Sequence, residues 1–379
     1  MKSSYTVCVS NPLDNLDWSG FLGRPRLASP EPQVFDALYR QPMLITGAGG
    51  SMGTQLALRL AALMPPHMLL LESSESSLYA LKRAWRKAGA AASQQAYLGH
   101  TSDQELMDRL FAHYKPQLVF HTASYKHVPL LEEHPRAAIH NNVIATETLV
   151  QAAARSGARV VMLSTDKAVR PVSIQGATKR AAEQIVLAAG GVVLRLGNVL
   201  GSRDSVDEIF AQQIEYDGPM TVTDPAARRL FMTLDEAVNV TLMAAAQPVP
   251  SALLAPVLPA THFVTDLARF LASRLSPDRP IAIDFIGRRA GDREVESLWA
   301  ESDPVQPAAP EFGQNSLVYV EAPRLSAEQV GIGLANLRAA MAAFDITAAI
   351  QQLRYLVPDY GPGAEVLELA RQLSEPISQ

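Results

Sequence analysis

Two stretches of this chain hold residues whose types and spacing can do chemistry. The first, Gly47-Ala-Gly-Gly50-Ser51-Met52-Gly53, follows the apolar run Met43–Thr46 and precedes a helical pattern that opens near Thr54. In that setting Gly47 permits a tight turn, Gly50 lets backbone approach a pyrophosphate with no Cβ between them, and Gly53 allows close helix-to-strand packing. The following helix offers free N–H groups and a positive dipole end to phosphates, so Ser51 and Met52 join the three glycines as cofactor-binding candidates. The same glycines would also suit a plain turn. Glu72 closes the next apolar run, 25 residues after Gly47, where a carboxylate accepts hydrogen bonds from ribose hydroxyls. A carboxylate there repels a 2′-phosphate, which favours NAD over NADP; Ser73 stands beside it. The competing reading is that Glu72 or Glu75 only solvates a loop.

The second stretch runs from Ser164 to Lys179 (STDKAVRPVSIQGATK) and begins at the carboxyl end of an expected strand, where open α/β sheets bind ligands. Gln175 and Lys179 are four residues apart and share one face of the helix after Pro171, from which Lys179 can reach a nicotinamide ribose. Thr165, Asp166 and Lys167 would sit across from them. Lys126 and Asn198 also follow apolar runs and are candidates for contact with a sugar hydroxyl or phosphate, although Lys126 suits a structural role equally. Asn141 and Asn142 open a helical pattern, where capping or backbone bracing is the expected work.

These positions need a scaffold, and the apolar patterning supplies one. Short runs at Met43–Thr46, 68–71, 117–121, 159–164 and Val192–Leu196 alternate with amphipathic stretches at 54–63, 103–113 and 142–155. That alternation is the sequence form of successive βαβ units, and it predicts an α/β fold with a Rossmann-type doubly wound parallel sheet. After residue 200 the pattern turns irregular and prolines accumulate, with a helix near Leu234–Ala246 and a strand near 281–285. We therefore expect an N-terminal arm (1–35), a dinucleotide-binding domain (36–200), a smaller mixed substrate-binding lobe (201–302), and a linker with a helical C-terminal extension (303–379). The Pro/Ala-rich stretch 303–310 reads as the linker, and 326–356 reads as mostly helical.

Composition narrows the function classes. The single cysteine, Cys8, excludes a disulfide framework, and with no Cys/His cluster there is no support for a metal site. A net charge of −5 argues against a broad nucleic-acid surface while leaving room for a local diphosphate pocket. No uninterrupted apolar run is long enough to span a membrane, and the opening residues lack the apolar core of a signal peptide, so the expected location is cytoplasmic.

The motifs carry a resemblance. GAGGSMG (47–53), ESSESSLY (72–79), SYKHVPLLEEHP (124–135), NNVIATETL (141–149), STDKAV (164–169), GATKR (176–180), RLGNVLGSR (195–203), PMTVTDP (219–225), RLFMTLDEAV (229–238) and LVPDY (356–360) occur in order along the chain. Together they resemble the extended short-chain dehydrogenase/reductase superfamily, specifically its polysaccharide-biosynthesis branch of nucleotide-sugar 4,6-dehydratases. The resemblance implies that NAD(P)+ oxidises C4 of a nucleotide-linked hexose, that water leaves across C5 and C6, and that hydride returns to C6. The product is a 4-keto-6-deoxy sugar, with C5 inverted in some relatives. The common substrate in the branch is an N-acetylated hexose on UDP, and homo-oligomers are usual.

Oxidation at C4 acidifies the C5 proton, so a base near C5 and an acid near the C6 hydroxyl are needed. By resemblance Lys167 is the base, Asp166 the acid, and Thr165 the group nearest the C4 oxygen. The superfamily's Tyr-x-x-x-Lys carries the tyrosine that removes the alcohol proton; membrane-linked members of this branch have Met there, and this chain has Gln175. An amide is no general base at neutral pH, so the C4 proton must leave through Thr165, water or another relay. The family's Gly-Asp beside the adenine is Gly99-His100 here, which makes His100 and Thr101 cofactor candidates. Its Ser-Arg-Gly-Ser is Ser202-Arg203-Asp204-Ser205, and its Arg-Pro-Gly-Glu is Arg289-Ala290-Gly291-Asp292. Arg203, Arg229 and Arg289 are candidates for phosphate oxygens and Asp292 for a ribose, with a surface role the alternative for Arg203 and Arg229. Gln175 also leaves open an epimerase or oxidoreductase that keeps the C6 hydroxyl, or a cofactor-binding scaffold without turnover.

Overall fold

The five apolar runs all become parallel strands, because a strand covered by helices on both faces must be apolar nearly throughout. In the computed structural model, which describes residues 13, 16–89, 93–309 and 316–374, the parallel strands are β1 (Met43–Thr46), β2 (Met68–Glu72), β3 (Gln94–Leu98), β4 (Leu118–His121), β5 (Arg159–Thr165), β6 (Val192–Leu196) and β7 (Ala252–Pro256), of which β3 and β7 join the five runs. Cys8 and the two chain ends lie outside the described residues. Two further strands, β8 (Val305–Pro307) and β9 (Leu317–Val320), complete one nine-stranded sheet of order β8-β9-β7-β6-β5-β4-β1-β2-β3. β9 runs antiparallel to both neighbours, and all the other pairings are parallel. The strand order reverses between β1 and β4, and the carboxyl ends there form the crevice in which doubly wound sheets bind ligands.

Helices cover both faces. On one lie α1 (Ser51–Ala61), α2 (Glu75–Lys87) and, later in the chain, Leu234–Ala246; on the other lie α3 (Gln104–Tyr114), α4 (Ala145–Ser156) and α5 (Ile174–Ala188). The smaller lobe holds α6 (Val206–Glu215) and α8 (Val264–Leu275), with Leu234–Ala246 between them as α7. A third apolar cluster unites α6 and α8 with Trp18, Phe21 and Leu22 of the N-terminal arm, and Arg24 pairs with Glu236 at 2.6 Å. No helix among the described residues is long and apolar enough to cross a membrane.

The tail helices α9 (Ala327–Ala342), α10 (Ile346–Leu356) and α11 (Ala364–Ser374) pack on the body, with α9 and α10 against α5. α5 is buried from Ile174 to Leu187, so its charged residues must be matched internally. Glu183 meets this need: it accepts from Arg195 at 2.9 and 2.8 Å, from Arg180 at 2.8 Å and from Ser164 Oγ at 2.6 Å.

Several expectations change. The stretch 303–310 is no plain linker, since 305–307 pairs with β9 as the edge strand β8. α7 and β7 fall within the residues assigned to the substrate lobe, yet α7 packs on the sheet and β7 extends it. β3, β7 and β9 escaped the sequence reading; β3 is an edge strand whose half-buried residues give no continuous apolar run. The helix expected near Thr54 starts at Ser51. The pattern 142–155 becomes a π-helical turn, His140–Ile144, leading into α4, so Asn141 and Asn142 are no N-caps.

Candidate active site

The glycine loop is held by contact on two sides and left open on the third. Gly47 has φ +64°, and a Cβ on it would lie 2.7 Å from the Ala123 backbone; one on Gly53 would lie 2.3 Å from the Gly47 carbonyl oxygen. Gly50 differs: a Cβ there would meet only the Gly47 oxygen, at 3.3 Å, and the residue lines the cavity above the loop. α1 opens at Gly50 with no side-chain cap, so N–H groups of its first turn remain available to an anion. Glu72, at the end of β2, accepts from Gly49 N and Ser74 N at 2.9 Å each, which ties the loop to β2 and leaves lone pairs for ribose hydroxyls. These features fit a dinucleotide: a backbone cradle for the pyrophosphate and a carboxylate on the same cavity at the end of β2.

β5 delivers the second group. Thr165 ends the strand and caps a short turn, Asp166–Ala168; its hydroxyl accepts from Lys167 N at 3.3 Å and donates to Asp166 Oδ1 at 2.8 Å. Lys167 Nζ donates to the same Asp166 oxygen at 3.0 Å. Asp166 is only 1% exposed, and its other oxygen has no hydrogen-bond partner. In the first turn of α5, Gln175 is buried with its side-chain oxygen unpartnered. Lys179 Nζ donates to the Leu163 carbonyl at 2.7 Å, and burial pulls its ammonium down to about 8 while Glu183 resists the fall.

The two groups converge on one cavity of about 940 Å³. Of the residues singled out in the sequence, Gly47, Gly50, Ser51, Met52, Gly53, Glu72, Ser73, Lys126, Thr165, Lys167, Gln175, Lys179, Asn198 and Arg203 all line it. Arg203 comes from the smaller lobe and reaches the glycine loop, its N–H donating to Ser51 Oγ at 2.8 Å and its guanidinium to Ser77 Oγ at 3.0 Å. Lys126 donates to the Arg203 carbonyl. Asp204, where the family pattern has glycine, sits at φ +57°, a left-handed conformation that Asp tolerates better than most residues.

Six expected residues fall outside the lining. Asp166 lies behind Thr165 and Lys167 and reaches the cavity only through them. His100 is bound to Ser102 Oγ at 2.7 Å and Asn141 Oδ1 at 3.0 Å, and Thr101 is buried beside it; Asn141, not His100, faces the cavity. Arg229 is buried, and its Nη1 donates to the carbonyls of Arg228 and Glu294. Arg289 and Asp292 pair with each other at 3.0 Å instead of standing apart for phosphate and ribose. Asn142 braces the segment after β4: its oxygen accepts from Tyr125 N at 2.9 Å and its amide donates to Thr178 Oγ1 at 3.1 Å.

Sequence reasoning missed Thr122, Ser124 and Phe231 in the lining, and Glu296 behind Lys167. Thr122 lies beside a quoted motif and Ser124 and Phe231 lie within one, but Glu296 is more than a hundred residues from Lys167, and no local pattern joins them.

Residues 43–313 match the family described as polysaccharide biosynthesis protein. The chain belongs to that family. It is 35% identical over 286 residues to the probable polysaccharide biosynthesis protein EpsC of Bacillus subtilis (strain 168), covering 73% of this chain and 48% of EpsC, so it spans about half that relative's length. Among solved structures it resembles Pen from Bacillus thuringiensis, with a TM-score of 0.68 and 23% identity over 79% of this chain and 98% of Pen. It also resembles MoeE5, solved in complex with UDP-glucose and NAD, with a TM-score of 0.58 and 23% identity over 67% of this chain and 88% of MoeE5. At these identities the two structures establish the shared Rossmann-type fold.

Proposed function

We propose that this polysaccharide biosynthesis protein is a nucleotide-sugar 4,6-dehydratase that uses bound NAD and acts on a UDP-linked N-acetylhexose such as UDP-N-acetylglucosamine. The observation that carries the reading is the meeting of the glycine cradle with Thr165, Lys167 and Lys179 in one cavity large enough for a dinucleotide and a sugar. Choice of UDP and of the N-acetylated hexose rests on the branch that the motifs resemble. Glu72 favours NAD, because a 2′-phosphate would meet a carboxylate already held in place by two backbone N–H groups.

When bound, the nicotinamide supplies the acceptor for the C4 hydride and the donor of that hydride to C6. The chain's own residues handle the protons. The C4 hydroxyl proton passes to Thr165 Oγ1, whose own proton moves along the 2.8 Å hydrogen bond to Asp166 Oδ1. This route replaces the tyrosine that Gln175 displaces. Lys167, once neutral, takes the C5 proton; Asp166 returns its proton toward the C6 oxygen through the hydroxyl and amine in front of it, and water leaves. With hydride added at C6, Lys167 gives a proton back to C5, on the same face or the opposite one. Lys179, anchored to Leu163, holds its charge near the nicotinamide ribose and the C4 oxygen.

The test is incubation of the purified protein with UDP-N-acetylglucosamine and NAD in deuterated water, followed by mass spectrometry and proton NMR. A product lighter by one water and carrying deuterium at C5 is expected. A sugar that changes configuration without losing water would replace this reading with an epimerase. Unchanged material across a UDP, GDP, CDP and dTDP panel would leave a cofactor-binding scaffold.

A further inference from the structure

We propose that Glu296 is a positioning residue that holds the Lys167 amine between two buried carboxylates and sets the pH at which that lysine can accept a proton. The inference deepens the dehydratase reading, in which Lys167 is the C5 base, but its physical content concerns Lys167 alone.

Glu296 is 2% exposed and lies on the segment that follows the Arg289–Asp292 turn, fixed to the smaller lobe by the bridge between Val295 and Arg228. Its Oε1 is 3.9 Å from Lys167 Nζ, on the side of the amine away from the cavity, while Asp166 Oδ1 holds the same nitrogen at 3.0 Å. Lys167 is thus open to the cavity at its front and faces two carboxylates behind. Glu296 Oε2 has no hydrogen-bond partner and stands 3.9 Å from Arg293 Nη1.

A carboxylate that served packing alone would be satisfied as Glu183 is, with hydrogen bonds from two arginines and a serine. Glu296 is instead left with an unfilled acceptor beside an amine it does not bond directly. The groups facing it are Lys167, Asp166, Arg229 and Arg293. Burial pushes its carboxyl up; Lys167 is the main influence pulling it back, and Asp166 adds to the rise. Asp166, Lys167 and Glu296 therefore form one charge cluster, in which a negative charge on Glu296 favours the ammonium form of the amine beside it. Placing the carboxylate on the smaller lobe and the lysine on the sheet makes the base's readiness depend on how the lobe is seated.

The test is competitive acetylation of the full chain with acetic anhydride across pH, without substrate, read by mass spectrometry on the peptide that carries Lys167. For Glu296→Gln the midpoint of Lys167 labelling should fall by about 1 pH unit or more, since an opposite charge within a few ångströms raises an amine by that amount. Glu296→Asp keeps the charge and should bring the midpoint back toward wild type; it also serves if the Gln variant does not fold. With UDP-N-acetylglucosamine, the rising limb of C5 deuterium incorporation should move to lower pH in step with the labelling. A Lys167 midpoint unchanged in both variants would overturn the proposal, as would a uniform fall in activity with no shift of the pH profile. A shifted midpoint with no turnover of any nucleotide sugar would uphold Glu296's hold on Lys167 and sink the dehydratase reading instead.

Discussion

Replacing Lys179 with methionine should change how stability depends on pH by a calculable amount. Lys179 is 4% exposed, and burial pulls its ammonium from the ordinary 10.5 to about 8. Below pH 8 folded and unfolded chains both carry the proton, and the folded chain bears the whole cost of the buried cation, about 3 kcal/mol for such a shift. Between 8 and 10.5 the unfolded chain binds more proton than the folded one, so wild-type stability rises with pH; by pH 10 about 2.5 kcal/mol of the cost has gone. Methionine has similar length and no titration. The variant also leaves the Leu163 carbonyl without its donor, a loss of about 1–3 kcal/mol that does not vary with pH. Urea unfolding of both proteins without cofactor, at pH 7 and pH 10, separates the two contributions. The stability difference between variant and wild type should move in favour of wild type by about 2.5 kcal/mol across that interval. A difference constant to within about 0.5 kcal/mol would mean that Lys179 keeps an ordinary ammonium, and the argument from its burial would fail.

Glu183→Gln should lower stability by about 3–5 kcal/mol in urea titration, because Arg195 and Arg180 are left buried and under-paired. Burial raises the Glu183 carboxyl, but Arg195, Arg180 and Ser164 outweigh it and hold the group at about 2. Its stabilisation is therefore present above the ordinary carboxylate value and drains away as pH falls toward 2, a window in which the Gln variant should show a flatter profile. Gly53→Ala drives a Cβ to 2.3 Å from the Gly47 oxygen, so the melting temperature should drop with a cost of about 1–3 kcal/mol, and NAD binding by fluorescence titration should weaken with it. Thr165→Val breaks the hydroxyl bridge to Asp166 and should cut steady-state turnover about 100-fold, well beyond the loss in Gln175→Met; the reverse ranking would place the C4 proton route on Gln175.

Local pattern carried the sheet's centre and the glycine loop into view. β1, β2, β4, β5 and β6 are read directly because strands covered on both faces must be apolar, and Gly47, Gly50 and Gly53 are legible because a turn, an open backbone and a close helix contact each exclude a side chain. The spacing of Gln175 and Lys179 was likewise sufficient to bring both to one cavity, since four residues make one helical turn.

What the sequence by itself determined, then, is the set of groups presented at the carboxyl ends of the central strands, because each is fixed by the few residues on either side of it. Only the tertiary structure decided which groups stand behind these and which stand aside. Asp166 looks like any residue of its motif until burial puts it behind Thr165 and Lys167. Arg229, Arg289 and Asp292 look free until their partners arrive from elsewhere in the fold or across their own turn. α5 is, in the sequence, only the helix after Pro171 that carries Gln175 and Lys179, until the tail folds over it and its charges must be matched by Arg195 and Ser164. Glu296 has no local signature, and its meeting with Lys167 depends on how the smaller lobe seats on the sheet. Periodicity reports which face of an element is apolar; it holds no information about which distant charge comes to rest against that face.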